Sequence, residues 1–400
     1  MTPATDELIS VSEAERCILS RVPPPTVETV PIERASSRVL AEDIVASRAQ
    51  PPFDRVTMDG VALASADPSV AFTVTAIGAA GAPPPAFAGH GSCIEIMTGA
   101  PLPHGCDMVV PVERVTRSGD QITVDRDVER QPGACVHSSA SDYNVGHRLL
   151  ARGERLSAVN MAVLASAGTA NVDVAREPRI HILTSGDELV APGETVLAHQ
   201  IYRSNDLAIE ALLDDHGWRH TSRAHVPDQP EPIRNAVNHA LTHDVIVVTG
   251  GVSKGRYDYL PAALTACGVD KQFHRVAQRP GKPMWFGVGP ANQLVFALPG
   301  NPVSALTCLR RYVIPALSVL VGASADVRSR EAVLTEPVRF APGLAWFAAG
   351  CLRGRSGSVS VKTVNTSGDL FGLHGSDGFV ELPAEMNEIG TDTSLRWFAW

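Results

Sequence analysis

Residues 244–255 read Asp-Val-Ile-Val-Val-Thr-Gly-Gly-Val-Ser-Lys-Gly. The run Val245–Val248 is as long as one strand and has no polar face, which predicts a strand covered on both sides, as in a parallel sheet. At its end, Thr249-Gly250-Gly251 lets the backbone turn sharply and come close to a ligand. The same strand-then-loop wording occurs twice more. The run IHIL (180–183) leads into Thr184-Ser185-Gly186-Asp187-Glu188, and LVFA (294–297) leads into Leu298-Pro299-Gly300-Asn301-Pro302. Working outward, residues 219–226 read as a further strand. Helices are expected over 207–216, closed by Gly217, then over 232–241, 260–267 and 302–320. Alternating strands and helices predict a parallel α/β domain across 179–322, with its ligand at the carboxyl ends of the strands.

Glycine loops are ordinary in such domains, but three that also carry Thr, Ser, Asp, Glu and Lys point to a site. Free N–H groups in glycine turns form anion-binding nests. Asn301 as N-cap, with Pro302 opening the helix, gives a helix N-terminus whose dipole attracts anions. None of the loops fits G-x-x-x-x-G-K-[ST], which excludes a P-loop nucleotidase, and the dinucleotide fingerprint is missing.

The charge pattern agrees. The chain has 34 basic and 43 acidic residues, a formal net charge of −9. That balance excludes nonspecific nucleic-acid binding, which needs Lys and Arg on phosphates. Yet residues 271–325 hold no Asp or Glu, while Lys271, Arg275, Arg279, Lys282, Arg310 and Arg311 are basic. Arg279 and Lys282 flank Pro280-Gly281 and suit an oxyanion. Arg310 and Arg311 read as solvated helix faces. Carboxylates in loop-like contexts include Asp54 and Asp59 in FDRVTMDG (53–60), Asp142, Asp187, Glu188, Asp228 and Asp258. Oxygen ligands beside an anion site suit Mg²⁺.

Before this domain the text is β-rich after a helix over 7–21, for which Ser12 and Glu15 suggest a capping box. Short strands are expected at 72–77, 93–97, 108–112 and 121–124, with a helix at 157–168. Beyond 327, β-like runs and Gly-rich turns predict a small all-β domain. The seven cysteines are scattered, with no CxxC pair, so reduced thiols are expected. The acidic start is no signal peptide, and no apolar run approaches the roughly 18 residues of a membrane span. The expectation is a cytoplasmic protein with no membrane or nucleic-acid partner.

FDRVTMDG (53–60), IMTGAPLP (96–103), TSGDEL (184–189), TGGVSKG (249–255), RPGKP (279–283) and LPGNPVSA (298–305) occur in this order. Together they resemble the molybdopterin molybdenumtransferases, the MoeA and gephyrin E-domain family, over nearly the whole chain. The resemblance implies a four-domain subunit: a linker domain from 27–45 and 146–177, a β-rich domain at 46–145, a molybdopterin-binding α/β domain from 7–26 and 178–326, and a β-barrel-like domain at 327–400. It implies a homodimer that binds adenylylated molybdopterin and molybdate, uses Mg²⁺, releases AMP and leaves molybdenum on the dithiolene. The adenylyltransferase that supplies the substrate and the molybdoenzymes that accept the product are implied partners.

By the same resemblance the functional positions are Asp59, Thr98, Asp142, Glu188, Asp258 and Lys282, with Ser185, Gly186, Asp228, Gly250, Gly251, Ser253, Arg279, Pro299, Gly300, Asn301, Pro302 and Ser367 around the substrate. Asp59 and Glu188 would take the Mg²⁺. Asp258 would help them position the phosphoanhydride, and Lys282 and Arg279 would hold the oxyanion. Thr98 and Asp142 would complete the site from the partner subunit. The chain departs from the family at two places. His137-Ser138-Ser139-Ala140-Ser141-Asp142 stands where an arginine-rich segment ending in Gly-Glu-Asp is usual, and Arg55-Val56-Thr57 replaces a small polar version. The rival readings are adenylylation of molybdopterin and a non-catalytic scaffold. The chain's length and its MDG motif count against the first, and Asp59, Glu188 and Lys282 against the second.

Overall fold

The computed structural model describes residues 8–251, 259–323, 329–353 and 357–400, so Ser253 and Asp258 lie outside the described residues. The chain forms two compact units. The larger joins residues up to Glu42 with Arg152–Ser157 and Asn171–Trp400, and the smaller joins Asp43–Ala151 with Ala158–Ala170.

The larger unit holds the α/β layer. Its elements are β1 (Ile180–Ser185), α1 (Asn205–Asp215), β2 (Thr221–Val226), α2 (Pro230–Ala240), β3 (Val245–Thr249), α3 (Leu260–Ala266), β4 (Asp270–His274), β5 (Trp285–Val288), β6 (Leu294–Leu298) and α4 (Pro302–Cys308). The sheet order is β2-β1-β3-β6-β5-β4. Every residue of β1, β3 and β6 is buried, as their unbroken apolar runs require. The strand order reverses between β1 and β3, so the loops after Ser185 and Thr249 sit at the switch point.

The sheet is mixed, which corrects the all-parallel expectation. β5 runs antiparallel to both neighbours. Only residues 289–293 separate β5 from β6. A parallel crossover needs about a dozen residues, so this link permits only a hairpin.

The run 302–320 is interrupted by a π turn at Leu309–Val313, after which the helix resumes over Ile314–Leu320. By length and a hydropathy of 1.3 this run could cross a membrane, contrary to the sequence expectation, but 78% of it is buried inside the fold. The π turn aims Arg310 and Arg311 inward, and they are only 2% and 1% exposed, which overturns their reading as solvated residues. Arg311 donates from Nη1 and Nη2 to Glu15 at 2.9 and 3.0 Å, and from Nε to Glu381 at 2.8 Å. Burial opposes its charge, but the Glu381 and Glu15 carboxylates more than offset this and its pKa rises. Glu15 is free for this role because the capping box of the N-terminal helix (Val11–Leu19) is formed by Ser10 and Glu13, not by Ser12 and Glu15. The same helix thus meets Arg311 from one side.

Glu381 belongs to the C-terminal barrel. There Ala345–Arg353, Ser358–Val361, Ser329–Leu334, Leu395–Ala399 and Gly378–Leu382 pair in turn, and the last returns to the first. The closed ring leaves no free edges and packs Val359, Val380, Leu382 and Trp397 inside. On the outer face of the α/β layer, buried His181 of β1 lies against His239 and His243, with ring centroids 5.4 and 4.8 Å away. Burial, then the charges of His243 and His239, push its pKa down to about 4.

The smaller unit is built on a six-stranded sheet of its own, in the order Met108–Pro111, Gly60–Leu63, Ser92–Ile96, Ala71–Gly78, Gln121–Val124, Val115–Ser118. Gly60 is obligatory here. A Cβ at that position would overlap the carbonyl of Val110 on the next strand. All seven cysteines of the chain are unpaired.

Two outcomes follow for stability. Arg311→Ala removes the arginine between Glu381 and Glu15, leaving Glu15 only its longer 3.5 Å pair with Arg396, and should cost about 3–5 kcal/mol in urea unfolding. An unchanged midpoint would show that the triad is dispensable. His181 favours its neutral form in the fold, so its contribution is complete above the ordinary imidazole value of 6.5 and is lost as pH falls toward about 4. His181→Gln should flatten the fall of thermal midpoint with pH across that window, and an unchanged slope would assign the acid loss elsewhere.

Candidate functional site

At the switch point, Gly250 and Gly251 adopt φ of +94° and +64°, a region that strains any L side chain. A Cβ on Gly250 would lie 2.6 Å from the carbonyl oxygen of Ser185, so the two loops touch backbone to backbone. A Cβ on Gly300 would lie at an ordinary 3.5 Å from the Cα of Gly250. All three glycine loops therefore meet. Asn205, the first residue of α1, straps them together: its Nδ2 donates to Thr249 Oγ1 at 2.9 Å and to the Gly300 carbonyl at 2.7 Å.

On one side of this junction stand carboxylates. Asp187 and Glu188 are exposed. Asp187 accepts from the backbone N–H of Asp228 at 3.1 Å, which ties the loop after β2 to the loop after β1. Burial raises the pKa of Asp228, and the negative charges of Asp187 and Glu188 add to the rise.

The other side is a cleft of about 480 Å³ between the α/β layer and the barrel, lined by Arg279, Lys282, Asn301, Trp346, Lys362 and Ser367 among others. Gln278–Arg279 pairs in parallel with Ala345–Trp346 of the barrel, so the RPGKP loop is hinged directly to a barrel strand. This sets the Arg279 guanidinium over the Trp346 ring, 4.6 Å from its centroid. Beneath the loop, Gln278 donates to the Gly281 carbonyl at 3.2 Å and accepts from Tyr312. Asn301 does cap α4, with Pro302 in the first turn, but its side chain makes no capping bond. Instead Nδ2 donates to Ser367 Oγ at 2.7 Å, while the Ser367 carbonyl accepts from Val303 N at 3.1 Å. Pro299 lines the same cleft. Lys362 Nζ donates to the His374 carbonyl.

Residues 9–168 match the MoeA N-terminal region (domain I and II), and residues 181–319 match a probable molybdopterin binding domain. A molybdopterin molybdenumtransferase of Synechocystis is 35% identical over 402 residues, covering 98% of this chain and 100% of that protein. Molybdopterin molybdenumtransferase 2 of Mycobacterium tuberculosis is 30% identical, covering 97% and 98%. The crystal structure of a molybdopterin biosynthesis MoeA protein from Pyrococcus horikoshii matches with a TM-score of 0.82 at 26% identity, covering 98% of this chain and 100% of that one. The chain belongs to the molybdopterin molybdenumtransferase family. It is an enzyme of molybdenum cofactor biosynthesis, and its reaction is molybdenum insertion into molybdopterin.

Two of the family's expected positions, Asp59 and Thr98, meet in the smaller unit. Thr98 donates to Asp59 Oδ1 from its backbone N at 2.6 Å and from its hydroxyl at 2.8 Å. Those two bonds, the backbone one first, hold the Asp59 pKa below the usual carboxylate range. Asp142 makes no bond to either and pairs instead with His137, at 2.9 Å. In the larger unit, Ser185, Gly186, Asp228, Gly250 and Gly251 gather at the switch point, while Arg279, Lys282, Asn301 and Ser367 line the cleft.

Asn205, Trp346 and Lys362 were not picked out from the sequence. Asn205 reads as nothing more than a helix opener, and a signal for its role lies in its position just ahead of an α/β helix, where strand-end loops gather. Trp346 sits in a barrel strand and Lys362 directly follows one, and nothing local marks them as cleft residues. The contrast between two glycines tests the junction. Gly250→Ala should cost about 1–3 kcal/mol in stability, because a strained backbone must move. It should also weaken molybdopterin binding strongly, whereas Gly300→Ala should be tolerated. Equal effects of the two on a molybdopterin titration would contradict the backbone contact with Ser185.

Proposed function

We propose that the substrate is molybdopterin carrying an adenylyl group, and that insertion of molybdenum from molybdate proceeds with release of AMP. The observation that carries this reading is the meeting of the Ser185–Glu188 and Gly250–Gly251 loops at the switch point, with acids on one side and a basic cleft on the other. A pterin carrying a phosphoanhydride needs both: backbone N–H groups for phosphate oxygens, and a separate cationic pocket for the incoming oxyanion. Arg279 and Lys282 are assigned to the oxyanion, in the cleft that Asn301 and Ser367 also line. Cleavage adds water across the phosphoanhydride, so AMP leaves and the molybdopterin phosphate remains.

The donor chemistry fits Mg²⁺. Glu188 and Asp187 present hard, exposed oxygens; burial chiefly raises Asp228, their negative charges add to the rise, and a divalent cation would relieve that added repulsion. Among the described residues no group of three or more His, Cys, Asp or Glu side chains could hold a metal ion. Mg²⁺ tolerates that, because it commonly takes one or two carboxylates and completes its shell with phosphates and water. When bound, it would neutralise charge on the phosphoanhydride. Glu188 is assigned to it, with Asp59 contributed by a second copy of the chain in a homodimer. The unpaired cysteines support a reducing compartment, the cytoplasm.

With adenylylated molybdopterin, molybdate and Mg²⁺, AMP should appear, and chelation should stop it. Tight binding of the adenylylated compound without AMP release would refute the reading. Glu188→Gln should slow AMP release far more than it weakens pterin binding, and equal losses would remove its role at the metal. A shared site also predicts complementation. Asp59→Asn and Glu188→Gln, each inactive alone, should regain about a quarter of wild-type activity when random mixed dimers form. No recovery in a mixture verified to contain heterodimers would place both residues in sites that one copy completes.

A further inference from the structure

The two places where the sequence leaves the family pattern, at 55–57 and 137–142, meet in the smaller unit. Arg55–Val56 and Val136–His137 pair antiparallel, with His137 opposite Arg55. Arg55 Nη2 lies 3.1 Å from His137 Nδ1, and His137 Nε2 lies 2.9 Å from Asp142 Oδ1. A guanidinium can only donate. Its partner Nδ1 must therefore accept, so the ring carries its proton on Nε2 and donates it to Asp142. In this arrangement the imidazole is neutral, with one accepting and one donating end.

The surrounding backbone gives this chain a fixed base. Asp142 N donates to the Gln50 carbonyl at 3.0 Å, and Ala140 N donates to the Pro51 carbonyl at 2.9 Å. Ser139 N donates to Asp54 Oδ1 at 2.8 Å. The loop is thus tied at Gln50, Pro51 and Asp54, just ahead of Arg55, and the Asp142 side chain is aimed by His137. A His137 acting as a cation toward the substrate would need a proton on Nδ1, and Arg55 excludes it.

We infer that Arg55 and His137 are positioning residues for Asp142, with Arg55 fixing a neutral His137 imidazole as the strut behind it. The inference rests on the proposed function and on the expectation, implied by the family resemblance, that Asp142 belongs to its active site. The experiment is AMP release and molybdenum insertion by the full-length protein carrying single substitutions. His137→Gln keeps one donor and one acceptor and should stay within a few-fold of wild type. His137→Ala should lose roughly 10- to 100-fold in kcat, the scale of a misplaced catalytic group, with a smaller change in KM. His137→Lys should fail like His137→Ala, although it restores a positive charge. Retained activity in His137→Lys with loss in His137→Gln would overturn the strut in favour of a cationic role.

Asp142→Asn separates the two levels. If it is slow while His137→Ala is not, the positioning role falls alone. If it runs at the wild-type rate, the assignment of Asp142 to the site falls, and the strut with it. A nitrogen-detected NMR spectrum supplies a readout independent of turnover: His137 should be protonated on Nε2 and bare on Nδ1. The opposite tautomer would refute the geometry, even in a variant that folds normally.

Discussion

Arg311 is a full charge at 1% exposure, and the way it is satisfied organises the larger unit. Its three donors reach Glu15 on the N-terminal helix and Glu381 in the barrel, while its own backbone belongs to the helix that begins at the LPGNP loop. One guanidinium therefore ties three parts of the chain that are far apart in sequence. The Phe398 ring lies 5.2 Å from the Arg311 carbon and 5.4 Å from that of Arg310, so the charges are also covered by an aromatic face. A desolvated arginine tolerates little displacement of its partners, because each lost bond leaves a charge uncompensated. The barrel is consequently held against the α/β layer in one position, and the cleft between them is a fixed space.

That fixed space explains why the basic residues of the RPGKP loop can serve as a binding surface. Arg279 sits on Trp346 because its strand is paired to the barrel, and Gln278 and Tyr312 hold the loop from below. Tyr312 lies in the same π turn as Arg311, so the distortion that buries the arginine also supplies the prop under the loop. The acids lie elsewhere, on loops after β1 and β2. The separation keeps Glu188 and Asp228 from neutralising Arg279 and Lys282, which leaves each group available to a ligand of opposite charge.

Much of this was legible in the sequence. Buried strands such as Val245–Thr249 are continuous apolar runs, and the glycines after them mark the site because only backbone fits where loops touch. Features set by distant contacts were less legible. Trp285–Val288 is a strand outside the expected set, and its reversed direction follows from the five-residue link to the next strand. Arg311 looks like a surface residue because its partners lie 296 and 70 positions away in sequence, and Arg310 because the Ala399 carbonyl it donates to lies 89 away. The shift of the capping box from Ser12 to Ser10 has the same origin, since Glu15 is committed to Arg311. Trp346 and Lys362 became cleft residues only once the barrel had closed and docked.

The departures at Arg55 and His137 illustrate why a motif comparison and a contact map have to be read together. As strings, one segment gains an arginine and the other lacks the arginines its family usually carries, which reads as loss of charge at the 137–142 loop. In space, the gained arginine faces the histidine that stands in the altered segment. Positive charge is thus still present at this edge, but it is spent on holding an imidazole in one tautomer. What the loop presents is then an Asp142 side chain oriented by His137.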